Sequence, residues 1–158
     1  MFRELTRKKQ SLPEEKIIEI LKNEKRGVLS VLGDDGYPYG LPINFWYNEA
    51  NGNIYFHSGK KGHKNDALAK DNKVSFCVYD EGYRKEGDWA LNISSVIIFG
   101  KVSIVEDFEK AMQICRDFSL KYTPDIEYID SEIQKFGRAT VCYELTTEHI
   151  TGKLVNES

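Results

Sequence analysis

The chain has 158 residues, 41% of them hydrophobic and 30% charged, a balance that lets one globular domain bury a full core and excludes collagen-like, disordered and disulfide-scaffold classes. Its formal net charge of −3 offers no global positive field to hold DNA or RNA, so any anion site has to be local. No apolar run approaches the roughly 20 residues that span a bilayer, and no signal-peptide core follows Met1, so the expected setting is cytoplasmic with no membrane partner. Cys77, Cys115 and Cys142 lie far apart in apolar surroundings, as reduced core thiols do, and no spacing suggests a metal site.

Ser11-Leu12-Pro13-Glu14 has the spacing of a capping box and predicts a helix start, with Ile17, Ile18 and Leu21 on one face and Gly27 as its terminator. The period then changes from helical to alternating. Val28 to Leu32 reads as a buried strand, Gly33-Asp34-Asp35-Gly36 as a hairpin turn, and Tyr39 to Tyr47 as the partner strand. Pro42 in that partner cannot donate to a ladder, which implies an edge or a bulge. Ile54 to Ser58 predicts the next strand, followed by the loop Gly59-Lys60-Lys61-Gly62, a short helix from His63 to Lys70 and a strand from Val74 to Tyr79. Asp80 to Asp88 is a surface loop, and Trp89 to Val105 carries the longest β signal. Asp107 to Tyr122 predicts an amphipathic helix through Phe108, Ala111, Met112, Cys115, Phe118 and Tyr122. The form of the Ile126/Ile129/Ile133 segment stays open, and Ala139 to Leu145 predicts a last strand. Hairpin-linked strands with a few helices point to a mainly β (α+β) fold, an antiparallel barrel with flanking helices, in a single domain covering 1–158.

Two of the three histidines, His57 and His63, fall with Lys60, Lys61, Lys64, Gly59 and Gly62 in one strand-to-helix segment. Glycines permit close backbone approach, a helix start offers free amides, and lysines add charge, which together suit a phosphate. A solvated basic loop is the other reading of the same residues. No zinc spacing, nucleophile elbow or paired acid and base is visible, so demanding chemistry would belong to a bound, phosphate-bearing cofactor. Trp46, Trp89, Tyr55 and Phe56 could supply flat contacts to an aromatic ring, though such residues more often serve in core or interface packing.

Gly27-Val28-Leu29-Ser30, Asp35 through Phe45, Ile54 through Gly59 and Gly62-His63-Lys64, with Val74-Ser75-Phe76 and Ser95 through Val102, resemble in order and spacing the pyridoxamine 5′-phosphate oxidase-like flavoproteins, nearest their nitroimidazole-resistance (Nim) branch. The resemblance runs from about Ser11 to Val105 and beyond that is one of layout. It implies an FMN-binding split β-barrel working as a homodimer. Pro42, Ile43, Asn44 and Phe45 match the strand along the flavin ring. His57, Ser58, Gly59, Lys64 and Asn65 match the phosphate and ribityl segment, and Ser95 and Val96 match a strand expected to complete the site from the other subunit. Ile93 departs from the pattern, where related chains often carry an aromatic residue. No catalytic residue is implied outright; His57 is nearest in type to a proton donor, with a cofactor contact as its other role. The function expected is reduction of a small, aromatic acceptor such as a nitroimidazole by electrons from a reduced donor. A non-catalytic flavin or haem carrier is the first alternative. The second is pyridoxamine phosphate oxidation, for which Arg84, Lys85 and Arg138 are the available extra cations.

Overall fold

In the computed structural model, which describes residues 1–157, the chain forms seven strands and four α-helices. They run α1 (Glu14–Asn23), β1 (Arg26–Leu32), β2 (Pro38–Asn44), β3 (Trp46–Asn48), β4 (Asn53–Gly59), α2 (His63–Lys70), β5 (Lys73–Tyr79), β6 (Leu91–Ile104), α3 (Phe108–Leu120), α4 (Ile126–Phe136) and β7 (Thr140–Glu157). All pairings are antiparallel, in the order β2-β1-β5-β6-β7-β4-β3.

That order makes β2 and β3 opposite edges of the sheet, yet only Phe45 separates them in the chain. The sheet therefore rolls until its two edges meet at Phe45, which gives the antiparallel split barrel with flanking helices. Phe45 points inward, fully buried, with its ring edge-on to Phe76 at 5.0 Å. Leu29, Ile54, Phe56, Val96, Ile98 and Leu145 fill the same interior, and Ile20 and Leu21 of α1 pack into it. Outside the barrel, α3 lies over β4 and β7 through a second cluster of Tyr55, Ala111, Ile114, Cys115 and Cys142. Strand β4 is thus covered on both faces: Ile54 and Phe56 inward, Tyr55 under α3.

Several sequence expectations change. Ser11 caps nothing, because its backbone bridges to Lys153 of β7 while the Leu12 N–H bonds the Gly152 carbonyl at 2.9 Å; Pro13 takes the cap position of α1. Gly27 does not end that helix, which stops at Asn23, but lies inside β1, where a Cβ would stand 2.3 Å from Cζ of the buried Phe76 ring. The strand expected from Tyr39 to Tyr47 breaks at Phe45. The Ile126 segment is helical, with Asp125 accepting from the Tyr128 N–H at 3.0 Å as its cap. Strand β7 continues twelve residues past Leu145, because β6 pairs with it from Tyr143 to Glu157, with a bulge at Phe99/Gly100. Trp89 lies before β6 and is 73% exposed, neither core nor ladder. Cys77 is half-buried on the outer face of the sheet, unlike the buried Cys115 and Cys142.

Candidate functional site

The end of β4 and the start of α2 build the anion cradle. Gly62 precedes α2 at φ +146°, a conformation open to glycine, and no side chain caps the helix. The first-turn amides of α2 consequently face outward without a side-chain partner. Asn65 ties the cradle together: its Nδ2 donates to the Gly59 carbonyl at 3.0 Å, the Tyr143 hydroxyl at 2.8 Å and Ser58 Oγ at 3.3 Å. Lys64 is half-buried, its ammonium 5.8 Å from the Phe56 ring centroid, and no carboxylate among the described residues pairs with it. Burial lowers its pKa, the mark of a cation short of a counter-charge.

His57 shares its β4 face with Tyr55 and meets α3, its ring edge-on to Phe118 at 4.6 Å. Desolvation against α3, and then the charge of Lys64, hold its pKa below the usual histidine value. It opens on a cavity of about 260 Å³ lined also by Met112, Cys115, Ser119, Ile133 and Thr140.

The second histidine of the basic segment is not in this site. His63 turns the opposite way, stacked on Tyr39 at 4.1 Å with Nε2 3.8 Å from Asp34. It fastens α2 to the β1–β2 turn, where Asp35 at φ 55° makes the reversal. Lys60 and Lys61 remain exposed on the connecting loop.

At the barrel corner, Pro42 and Asn44 are exposed on edge strand β2 while Ile43 and Phe45 point inward. Pro42 therefore sits at an edge, as its missing N–H requires, and lines a cavity of about 840 Å³ with Lys25, Arg26, Tyr79 and Tyr83. The Phe45 peptide has left the ladder and is held from α3's end. Tyr122 Oη accepts from the Phe45 N–H at 2.9 Å and lies 2.9 Å from its carbonyl and 2.7 Å from the Lys25 carbonyl. Lys121 Nζ donates to the Phe45 carbonyl at 3.0 Å and stands 3.6 Å over the Phe45 ring. Burial, then repulsion from Lys25, pulls the Lys121 pKa down to about 8.

The structure thus gathers His57, Ser58, Gly59, Lys64 and Asn65 in one place and Pro42 to Phe45 in another. Aromatic contacts join the two, from His57 to Phe118, from Phe118 to Tyr122 at 5.2 Å, and from Tyr122 to the Phe45 peptide. The helical spacing places Phe118 and Tyr122 on a core face and marks nothing at Lys121, because the spacing along α3 carries no sign of where the helix ends against the barrel. Ser95 is half-buried on the outer face, paired with Tyr79 and Lys153. Val96 points into the core with its strand paired on both sides, which leaves its side chain no route to a ligand within this chain. Arg84 bonds the Trp89 carbonyl at 2.9 Å and Arg138 stacks on Phe108, so the extra cations sit apart. Tyr55 and Phe56 are buried in the two packing clusters rather than presented to a ring.

Residues 13–154 match the pyridoxamine 5′-phosphate oxidase family. The chain belongs to that family. Similar solved structures include a candidate 5-nitroimidazole antibiotic resistance protein from Bacteroides thetaiotaomicron (22% identity, 91% of this chain and 85% of that one, TM-score 0.76). A conserved hypothetical protein from Mycobacterium tuberculosis is 20% identical over 95% of this chain and 89% of its own, at TM-score 0.79. A FAD- and haem-binding protein from Mycobacterium smegmatis is 19% identical over 93% of this chain and 73% of its own, at TM-score 0.73. These likenesses show a shared fold. No curated protein is similar enough to match. Among the described residues no helix is long and apolar enough to cross a membrane, and no cluster of metal-binding side chains occurs.

Proposed function

We propose that the chain is an FMN-dependent oxidoreductase, acting as a homodimer, that passes electrons from a reduced donor to a small aromatic acceptor such as a nitroimidazole. The observation that carries this reading is the uncapped start of α2 beside the half-buried, unpaired Lys64, a cradle whose free amides and spare positive charge suit a terminal phosphate. In it the α2 amides and Lys64 would hold phosphate, and Ser58, Gly59 and His57 the adjoining polyol. Edge strand β2, with Pro42 and Asn44 exposed, would present backbone groups to the flavin's ring. Bound flavin supplies the two-electron chemistry; the chain's own work is to bind, orient and exclude water. The lowered pKa of His57 favours its neutral form, which fits a gripping contact as both a hydrogen-bond donor and an acceptor.

The outer sheet face supports pairing of two copies. Pro42, Val28, Cys77 and Ile97 form one row across β2, β1, β5 and β6, with Gly40, Ser30, Ser75 and Phe99 beside it. Ile97 and Phe99 are exposed there, an apolar surface on a net-acidic chain. The family membership and the neighbour described as a nitroimidazole resistance protein favour oxidoreduction over simple carriage.

An absorbance spectrum of purified protein, followed by FMN titration, tests the reading. Lys64→Ala is expected to weaken FMN about ten- to hundredfold, the typical cost of one lost charged contact. Unchanged affinity in that variant would place the phosphate elsewhere, and a flavin-loaded monomer in light scattering would remove the dimer.

A further inference from the structure

Two of the three cysteines meet in the wall beside His57. Cys142 on β7 is in register with His57 on β4, and Cys115 enters from α3 into the same buried cluster, bounded by Tyr55, Ala111 and Ile114. Both side chains pack within that one cluster. Both residues are buried, at 7% and 3% exposure, but their surroundings differ. Cys115 lines the cavity of about 260 Å³ that His57 opens on, whereas Cys142 lies behind it and does not reach that space.

We propose that Cys115 and Cys142 form a peroxide-oxidisable dithiol site, Cys115 reacting first and Cys142 closing an intrachain disulfide between α3 and β7. The cavity sets the class of oxidant: a hydroperoxide of a few atoms can enter, while a protein or peptide disulfide cannot. In the first step the Cys115 sulfur attacks one peroxide oxygen, the O–O bond breaks and water leaves with the thiol proton, giving a sulfenic acid. In the second the Cys142 sulfur attacks Cys115, the S–O bond breaks, the S–S bond forms and a second water departs. Two thiols and one hydrogen peroxide become one disulfide and two waters, the cysteines losing the two electrons that the peroxide gains.

The order of attack follows from access: Cys115 lines the cavity and Cys142 does not. The electrostatics run the same way: the neighbouring Cys142 lowers the Cys115 pKa from the ordinary thiol value, whereas Cys115 and then burial push Cys142 up, which favours thiolate at Cys115. Closing the S–S bond would join α3 covalently to β7. Helix α3 also carries Phe118 against His57, and oxidation would therefore reshape the His57 cavity. Cys77 is the internal control. It is the most exposed cysteine, but burial raises its pKa and it stands on the outer face away from the pair.

The test treats the purified full chain with one to ten equivalents of hydrogen peroxide, quenches with iodoacetamide in denaturant, and reads intact mass and a peptide map. The expected result is a loss of about 2 Da, a Cys115–Cys142 cross-linked peptide, one alkylated cysteine at Cys77, and reversal by reductant. Cys77→Ser should oxidise at the parent rate, and Cys142→Ser should yield a dimedone adduct on Cys115. Should that variant not fold, dimedone present during oxidation of the parent decides the same point. Oxidation of Cys77 ahead of the pair, dimedone on Cys142, or two alkylatable thiols at Cys115 and Cys142 after ten equivalents would each overturn the proposal.

Discussion

Removing one oxygen atom, in Tyr122→Phe, tests whether the barrel corner is held from α3. The hydroxyl accepts from the Phe45 N–H at 2.9 Å and reaches the Phe45 and Lys25 carbonyls. Phe45 is fully buried and outside any strand, so its N–H has no ladder partner to fall back on. Its carbonyl keeps Lys121, but the N–H is orphaned, and an unsatisfied buried donor costs about 1–3 kcal/mol. The ring itself is retained, so its stacking on Phe118 persists and no cavity term is added. The expected loss is about 2 kcal/mol, or a fall of about 4–8 °C in midpoint for a domain of this size. Urea unfolding followed by tryptophan fluorescence measures it, since Trp46 adjoins the corner. Because Phe45 also sets the direction of β2, the proposed flavin site predicts that FMN affinity falls in parallel. A stability change under about 0.5 kcal/mol with unaltered slope would show that the corner peptide is satisfied some other way.

Lys121 titrates near 8 in the fold against 10.5 when free, so between these values the unfolded chain binds the extra proton and stability rises with pH. Discounted for partial solvent exposure, the gain between pH 7.5 and 9.5, below tyrosine ionisation, is expected at about 1–2 kcal/mol; Lys121→Met should flatten it in urea titrations across pH. Gly27→Ala places a methyl 2.3 Å from a Phe76 ring that has no space to move, and is expected to cost about 1–3 kcal/mol or more, read as a lower thermal midpoint. His57 should show an NMR titration midpoint below 6.5, shifted upward in Lys64→Ala; a midpoint at or above 6.5 would contradict its desolvated placement. If the proposed flavin site holds, His57→Gln should weaken FMN binding but leave the reduction rate of the FMN-saturated chain within about tenfold, where an obligatory acid would be worth roughly 10²–10⁴ in stopped-flow measurements.

What the chain carried locally was its alternation of periods. Val74 to Tyr79 and the apolar run Val96 to Phe99 read as strands because side chains alternate faces every residue, and α3 read as a helix because Phe108, Ala111, Cys115 and Phe118 recur at helical steps. The basic segment from His57 to Lys64 was legible for a similar reason: glycines, lysines and a helix start are adjacent in sequence and remain adjacent in space. The positions that changed depend on partners distant in sequence. Gly27 is in the strand because Phe76 fills the space above it; His63 leaves the cradle because Tyr39 and Asp34 offer a better surface; β7 extends through its polar second half because β6 supplies the ladder. Most of all, the break at Phe45 is invisible along the chain, since only when the seven-stranded sheet rolls shut do its two edges converge there, and only then does α3 deliver Tyr122 and Lys121 to the freed peptide. Local spacing determined which residues could form each element and which segment could cradle an anion. Closure of the barrel decided which of them face each other, because a side chain's neighbours across a sheet are chosen by pairing and not by sequence separation.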